Sequence, residues 1–321
     1  MNNQRSPRRK RLIIVTLCTA LVCGVLYQLA DRYLIEHVEV VVTAVEPTAA
    51  ESESVEATSK SNQAATTASG VKSDDWNYSS EDLNISIEQV VTGSSSNQIT
   101  YYVADVETTD ASLLQSAFAK NVFGRNITET TSEIASNHQA VFAINGDYYG
   151  FRNDGIIIRN GVLYRNDPAR EAVAFYKDGT MASYDEKKVT AQTLLDAGVL
   201  QTLSFGPALI KNGQLIQGFT NVKIDTNVGN RSILNANPRT GIGMIAPNHY
   251  VFVVVDGRQN DSRGITLDEF AKLFAELGAK EAYNLDGGGS STMYFMGRVV
   301  NNPQGKQEER GVSDILYLGE G

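Results

Sequence analysis

The chain has 321 residues with 28 basic against 37 acidic groups, a net charge of −9, and five of the basic groups (Arg5, Arg8, Arg9, Lys10, Arg11) fall in the first eleven residues. The remainder therefore holds 23 basic against 37 acidic groups, or −14, and the only cysteines, Cys18 and Cys23, share one apolar run. This excludes a disulfide scaffold, a cysteine nucleophile and a cysteine zinc site from the main body, and an acidic body excludes nucleic acid as a general partner.

Residues 1–11 form a basic tail. Leu12–Ala30 reads LIIVTLCTALVCGVLYQLA, nineteen residues without a charge. As a helix it spans roughly 28 Å, about one hydrocarbon core. The basic cluster before it predicts a single-pass signal anchor in the cell membrane, N-terminus cytoplasmic and C-terminal domain extracellular. A cleaved signal peptide is the rival reading. It calls for an apolar core of roughly 7–15 residues and a small-x-small site, which Tyr27-Gln28-Leu29-Ala30 does not supply.

Residues 31–75 are expected to form a juxtamembrane stalk and a disordered linker. Tyr33, Leu34, Val38, Val41, Val42 and Val45 have loose helical spacing, so the anchor helix is expected to continue through them. Glu46–Asp75 contains no aromatic residue, Leu or Ile. Such a composition buries too little apolar area to offset the entropy of ordering, which predicts a flexible tether.

Residues 76–321 make up the expected extracytoplasmic part, long enough for one large domain or two small ones. Strand patterns dominate it: Gln98–Val106 alternates, and Ala140–Ile144, Leu200–Phe205, Tyr250–Val255, Ala282–Leu285 and Asp314–Leu318 are short apolar runs. Asn160-Gly161 and Asn212-Gly213 sit between apolar alternations and predict tight hairpins, with Asp178-Gly179 as a third. Helices are fewer. Thr266-Leu267-Asp268-Glu269 is a capping box ahead of an apolar face of Leu267, Phe270, Ala271, Phe274 and Leu277. Asp110, Thr128 and Thr190 are expected to cap helices running to Lys120, Ser136 and Ala197. The fold expected is α+β: a mixed β-sheet core with β-hairpins and a few flanking helices, preceded by the transmembrane helix.

Three stretches place polar residues where an apolar strand ends: Asn145-Gly146-Asp147-Tyr148-Tyr149, Asp256-Gly257-Arg258 and Asn284-Leu285-Asp286-Gly287-Gly288-Gly289-Ser290-Ser291. Rigid strand ends are good platforms for catalytic groups, although Asn-Gly and Asp-Gly are also common turn dipeptides. Three successive glycines suit close approach of a ligand to the main chain, and consecutive amides can cradle an anion. No Gly-Lys-Ser/Thr follows, so this is not a Walker loop. Asn237-Pro238-Arg239-Thr240-Gly241-Ile242-Gly243 adds an arginine suited to phosphate or carboxylate, or else an ordinary surface arginine. There is no Gly-x-Ser-x-Gly elbow, and only His138 and His249 lie in the outer part, which leaves a serine triad and a histidine zinc site unsupported. The sequence requires no cofactor, while oxygen ligands leave a calcium site open at Asp147, Asp256 or Asp286.

Together with Gly206-Pro207-Ala208-Leu209 and Arg310-Gly311-Val312-Ser313, these motifs, in this order, resemble the phosphodiester glycosidase family over roughly Ala140–Leu318. That family includes an enzyme removing N-acetylglucosamine from a sugar phosphodiester. The resemblance implies hydrolysis of the glycosidic C–O bond of a sugar-1-phosphodiester. Asp286 and Arg239 are then the first candidates for catalysis, with Asp256 and Asp147 as further carboxylates. Asn145, Gly146, Arg258, Asn284, Gly287, Gly288, Gly289, Ser290 and Ser291 would bind substrate, Arg239 and Arg258 neutralising the phosphate and the Gly287–Ser290 amides cradling its oxygens. The partners implied are a glycan or sugar-phosphodiester of the cell envelope or an exopolysaccharide, and the membrane through Leu12–Ala30. The alternative is a non-catalytic envelope glycan-binding or assembly module using the same pocket, with Tyr148, Tyr149 and Tyr294 as its aromatic surfaces.

Overall fold

The computed structural model describes residues 7–42, 70–222, 224 and 232–319. The first six residues of the basic tail and the expected tether up to residue 69 lie outside the described residues. A helix runs over Pro7–Tyr33. Within it, Leu12–Tyr33, 22 residues, is long and apolar enough to cross a membrane, and none of its most apolar window is buried against protein. The expected continuation of this helix ends at Tyr33. The Leu34 and Ile35 amides both turn back to the Ala30 carbonyl, and His37–Val41 becomes a strand antiparallel to Val122–Arg125. Valines at 38, 40 and 41 favour that extended backbone, and among the described residues Val122–Arg125 has no other strand partner.

The main body is α+β. A nine-stranded sheet runs in the order Gln214–Leu215, Ala208–Lys211, Glu281–Asn284, Arg239–Ala246, His249–Val255, Ile99–Thr108, Leu83–Thr92, Asn77–Ser79, Lys72–Ser73. A five-stranded sheet runs Arg298–Val299, Met293–Phe295, Ala140–Asn145, Asp314–Gly319, Leu114–Phe118, and a three-stranded one runs Met181–Asp185, Glu171–Tyr176, Val199–Leu203. Every pairing between these strands is antiparallel, both between hairpin neighbours and between strands far apart in the chain. All three expected hairpins form. Asn160 and Gly161 take φ of 51° and 76°, and Asn212 and Gly213 take 51° and 73°, while Gly179, with φ of 81°, turns Glu171–Tyr176 into Met181–Asp185.

The strand His249–Val255 shows how the layers assemble. Tyr250, Phe252 and Val254 face a core shared with Phe142, Ile144, Leu316 and Phe175 of the smaller sheets. Val251, Val253 and Val255 face the opposite way, onto Phe270 and Phe274 of the helix Leu267–Glu276. The two-residue period of a strand thus feeds two cores at once. The capping box forms as expected, with Thr266 Oγ1 accepting from the Glu269 amide and the Glu269 carboxylate accepting from the Thr266 amide. Helices also form at Thr131–Asn137 and Ala191–Asp196. The helix expected from Asp110 to Lys120 does not form. Asp110 caps a single 3-10 turn, and Leu114–Phe118 is a strand paired with Asp314–Gly319. Pairing with that strand outweighs the weak helical pattern.

The glycines of Thr240-Gly241-Ile242-Gly243 serve this packing. A Cβ on Gly241 would lie 2.8 Å from the Phe270 ring, and one on Gly243 2.8 Å from that of Phe274. Gly241→Ala is therefore expected to lift the helix off the sheet and cost about 1–3 kcal/mol, read as a lower urea midpoint. An unchanged midpoint would show that the helix does not need this contact.

Candidate active site

Three neighbouring strands of the large sheet present their ends on one edge: the start of Arg239–Ala246 and the ends of His249–Val255 and Glu281–Asn284. The loops there cross at close quarters. A Cβ on Gly257 would sit 2.8 Å from the Pro238 nitrogen, and one on Gly287 2.7 Å from the Pro238 carbonyl oxygen. The glycines of the Asp-Gly-Arg and Asp-Gly-Gly-Gly motifs thus allow the loops to touch.

Above this crossing opens a cavity of about 220 Å³. Arg239, Arg258, Arg310 and Asp286 line it, with Asn237, Pro238, Gly287 and Gly288 in the floor and Tyr148, Phe205, Leu285, Ile224 and Ile233 around them. Asp286 is held from three sides. Its Oδ1 accepts from the Gly287 amide at 2.9 Å, and its Oδ2 accepts from Ser290 Oγ at 2.7 Å and from Arg310 Nη2 at 3.1 Å. Arg239 is 2% exposed. It donates from Nε to the Ile265 carbonyl and from Nη2 to the carbonyls of Ile233 and Asn235. Burial, with Arg258 close by, lowers its pKa to about 10. A buried cation held only by carbonyl dipoles beside a second cation leaves the cavity suited to an anion.

Arg258 adopts φ of 62°, a left-handed conformation costly for an arginine, and its Nη2 donates to Asn237 Oδ1 at 2.6 Å. Its guanidinium lies along the glycine run: a Cβ on Gly288 would come 3.3 Å from Arg258 Nη1, and one on Gly289 3.3 Å from Arg310 Cδ. The expected amide cradle is differently used. The amides of Gly287, Gly288, Ser290 and Ser291 donate to Asp286 Oδ1 and to the carbonyls of Pro238, Gly287 and Gly288. The glycines instead make room for two arginine side chains.

Of the expected residues, the fold brings Asp286, Arg239, Arg258, Gly287 and Gly288 to the cavity. Asn145, Gly146, Asp147, Asp256, Asn284, Gly289, Ser290 and Ser291 do not line it. Asn145, fully buried, donates to the Asp286 carbonyl at 2.8 Å and accepts from Thr240 Oγ1 and the Thr292 amide. Asn284 donates to the Gly206 carbonyl. Asp256 accepts from Asn301 Nδ2 and the Asn302 amide, and burial raises its pKa. Asp147 accepts from the amides of Tyr149 and Ser204 and lies 3.3 Å from Arg159. These carboxylates have separate partners, and among the described residues no three His, Cys, Asp or Glu side chains converge as a metal site would require.

Of the aromatic surfaces expected for a binding module, Tyr148 lines the cavity and Tyr149 and Tyr294 do not, while Arg310, Phe205 and Asn237 line it without having been singled out for the site. Arg310 stands in a loop just before a strand, the placement that drew attention to Arg239. Phe205 follows a strand end, and nothing in its sequence context separates it from a core aromatic.

Behind the site, Arg159 is fully buried between Asp314 and Asp147, 2.7 and 3.3 Å from its Nη2. Burial opposes its charge, but the two carboxylates outweigh that and hold it protonated. One cation cannot balance both acids, so burial and the neighbouring Asp147 raise the pKa of Asp314 to about 7, against the pull of Arg159. Gly146 accommodates this group, since a Cβ there would meet Asp314 Oδ1 at 2.2 Å.

A sequence model of the phosphodiester glycosidase family matches residues 138–318, more than half of the chain. The SPbeta prophage-derived uncharacterized protein YomE of Bacillus subtilis is 33% identical over 243 residues, covering 68% of this chain and 36% of that protein. The N-acetylglucosamine-1-phosphodiester alpha-N-acetylglucosaminidase of Bos taurus is 35% identical over 79 residues, 25% of this chain and 15% of that enzyme. The chain thus spans well under two thirds of the length of either relative. Among solved structures, the zebrafish N-acetylglucosamine-1-phosphodiester alpha-N-acetylglucosaminidase catalytic domain, auto-inhibited by its pro-peptide, superimposes with a TM-score of 0.59 at 22% identity, covering 75% of this chain and 85% of that one. A hypothetical protein from Synechocystis superimposes with a TM-score of 0.54 at 16% identity, covering 78% of this chain and 64% of that one. At these identities the likeness is one of fold.

The buried triad has a measurable consequence. Folded, Asp314 keeps its proton to about pH 7, whereas the ordinary value is 3.8. The folded chain therefore binds more protons in that window, and this contribution to stability, full below about pH 4, is lost as pH rises towards 7, at most about 1.4 kcal/mol per pH unit. Asp314→Asn is expected to flatten that slope in urea midpoints taken from pH 4 to 8. A slope identical to wild type would place the proton elsewhere.

Proposed function

This chain belongs to the phosphodiester glycosidase family, and we propose that it hydrolyses the glycosidic C–O bond of a sugar-1-phosphodiester, releasing free sugar and a phosphomonoester. The observation that carries this reading is the pairing of one preorganised carboxylate, Asp286, with three guanidinium groups in one cavity. Glycosidases commonly need two carboxylates, one of them an acid that protonates the leaving oxygen. A phosphate ester leaves without that help, because its second pKa is about 6. Among the described residues a single carboxylate lines this cavity, which suits such a leaving group.

In this mechanism Arg239 and Arg258 bind the phosphate and stabilise the charge that grows on it as the C–O bond breaks. Asp286, bonded to Arg310 and Ser290, faces the positive charge developing at the anomeric carbon, as nucleophile or as the base that directs water. Tyr148 and Phe205, with ring centroids 6.3 Å apart, offer apolar faces to the sugar ring. Asn145 acts at one remove, by fixing the Asp286 carbonyl. The helix Leu12–Tyr33, long and apolar enough to span a membrane, would anchor the domain on the outer surface, where envelope glycans or exopolysaccharide provide phosphodiester-linked sugars.

The test is release of free sugar from an α-N-acetylglucosamine-1-phosphodiester by the full chain in non-ionic detergent. Asp286→Asn is expected to lower kcat by about 10²–10³-fold, the loss typical of removing a charge-stabilising group. Arg239→Ala is expected to lower kcat/KM by a similar factor, with the circular dichroism spectrum unchanged in both. A wild-type chain that binds the compound and never turns it over would instead favour a glycan-binding module using the aromatic wall.

A further inference from the structure

The apolar helix does not end on a free tether. Between its last turn and the domain lie only Leu34, Ile35 and Glu36 before His37–Val41 joins the strand Val122–Arg125. Asn126 Nδ2 donates to the carbonyls of Asp31 and Ile35, at 3.2 and 2.8 Å, and Lys120 pairs with Glu36 at 2.7 Å. Val42 then packs against Phe118, Phe123 and Tyr149. Backbone and side-chain bonds thus hold the end of the helix against the domain.

A second cavity, of about 460 Å³, opens at this junction. Asp31 and Arg32 of the last helical turn line it together with Arg125, Arg152, Asp154 and Arg170. Four guanidinium groups thus converge in a body that carries net negative charge; of the two aspartates, Asp154 pairs with Arg170 at 2.5 Å, and Asp31 lies 3.3 Å from the His37 ring. Arg125 makes no ion pair and no side-chain hydrogen bond among the described residues. The two cavities share a wall. Arg152 lines the second while its guanidinium lies 5.1 Å over the Tyr148 ring and 5.3 Å over that of Phe205, both lining the first.

We propose that this second cavity binds the phosphate ester of a lipid headgroup at the outer membrane surface, so that the phosphodiester reaching Asp286 belongs to a membrane-borne molecule. The second clause rests on the hydrolase reading above, while the headgroup site stands on its own geometry. Clustered arginines recognise a phosphate ester through charge-assisted, bidentate hydrogen bonds. The last turn of a membrane-spanning helix lies at headgroup depth. A cationic pocket built partly from that turn meets lipid phosphates with no reorientation of the domain.

The experiment titrates the full chain, in non-ionic detergent, with dihexanoyl phosphatidylglycerol, and in parallel with dihexanoyl phosphatidylcholine and with inorganic phosphate, reading heat of binding. The anionic lipid is expected to bind, Arg125→Ala to weaken it at least tenfold, and Arg125→Lys to recover part of the loss. Asp286→Asn should bind the lipid as wild type does. The two proposals separate on the wild-type chain: lipid binding by a wild-type chain that releases no sugar at all would count against the hydrolase reading and leave the headgroup site standing. Absence of lipid binding, binding indifferent to Arg125→Ala, or inorganic phosphate binding as tightly as the anionic lipid would overturn the headgroup assignment.

Discussion

The side chain of Asn145 is the joint on which the site depends. It ends a strand of the five-stranded sheet, yet its Oδ1 accepts from Thr240 of the nine-stranded sheet and its Nδ2 donates to the carbonyl of Asp286. With the Thr292 amide bonded to the same Oδ1, one buried amide links both sheets to the entry and the exit of the glycine loop. A carboxamide suits this task because it donates and accepts at once and carries no charge to desolvate. The position of the Asp286 carboxylate is therefore set by the meeting of two sheets, and its oxygens are bonded by the Gly287 amide, Ser290 and Arg310.

Electrostatics divides the motif residues into two groups with opposite requirements. Asp147, Arg159 and Asp314 form a closed set in which an excess carboxylate is relieved by a proton. At the cavity the imbalance has the other sign. Arg239 is buried against carbonyl dipoles with Arg258 beside it, and its pKa is depressed first by burial and then by that neighbour, which Glu269 offsets only in part. An anion entering the cavity relieves that repulsion, whereas nothing need enter the triad. A short stretch of sequence, Asn145 to Tyr149, contributes to both: Asp147 turns inward to the triad, and Tyr148 faces the cavity.

Much of the fold is legible in the residues themselves, for local reasons. Asn-Gly turns demand positive φ whatever surrounds them, and the Thr266–Glu269 box closes on itself within one turn. Leu114–Phe118 is misread as helix because its strand character comes from a partner about two hundred residues away in the chain, Asp314–Gly319. The stretch after Tyr33 is misread for the same reason, since His37–Val41 is extended only against Val122–Arg125. In both cases the deciding bonds are made to a remote strand edge.

The sequence by itself determined the apolar helix, the α+β class, the hairpin turns and the glycine-flanked motifs at strand ends, all of which follow from periodicity, turn chemistry and the order of residues along the chain. Only the tertiary structure decided which carboxylate faces the cavity. Asp147, Asp256 and Asp286 occupy alike positions just beyond strands, and the difference lies in what crosses over them: Arg159 and the Ser204 amide for the first, Asn301 and Asn302 for the second, and for the third an arginine at the rim of an open cavity. The glycine run likewise acquires its use only in space, where the missing side chains leave the volume that Arg258 and Arg310 occupy. Burial and partner choice are properties of the packed sheets, and chain order alone does not carry them.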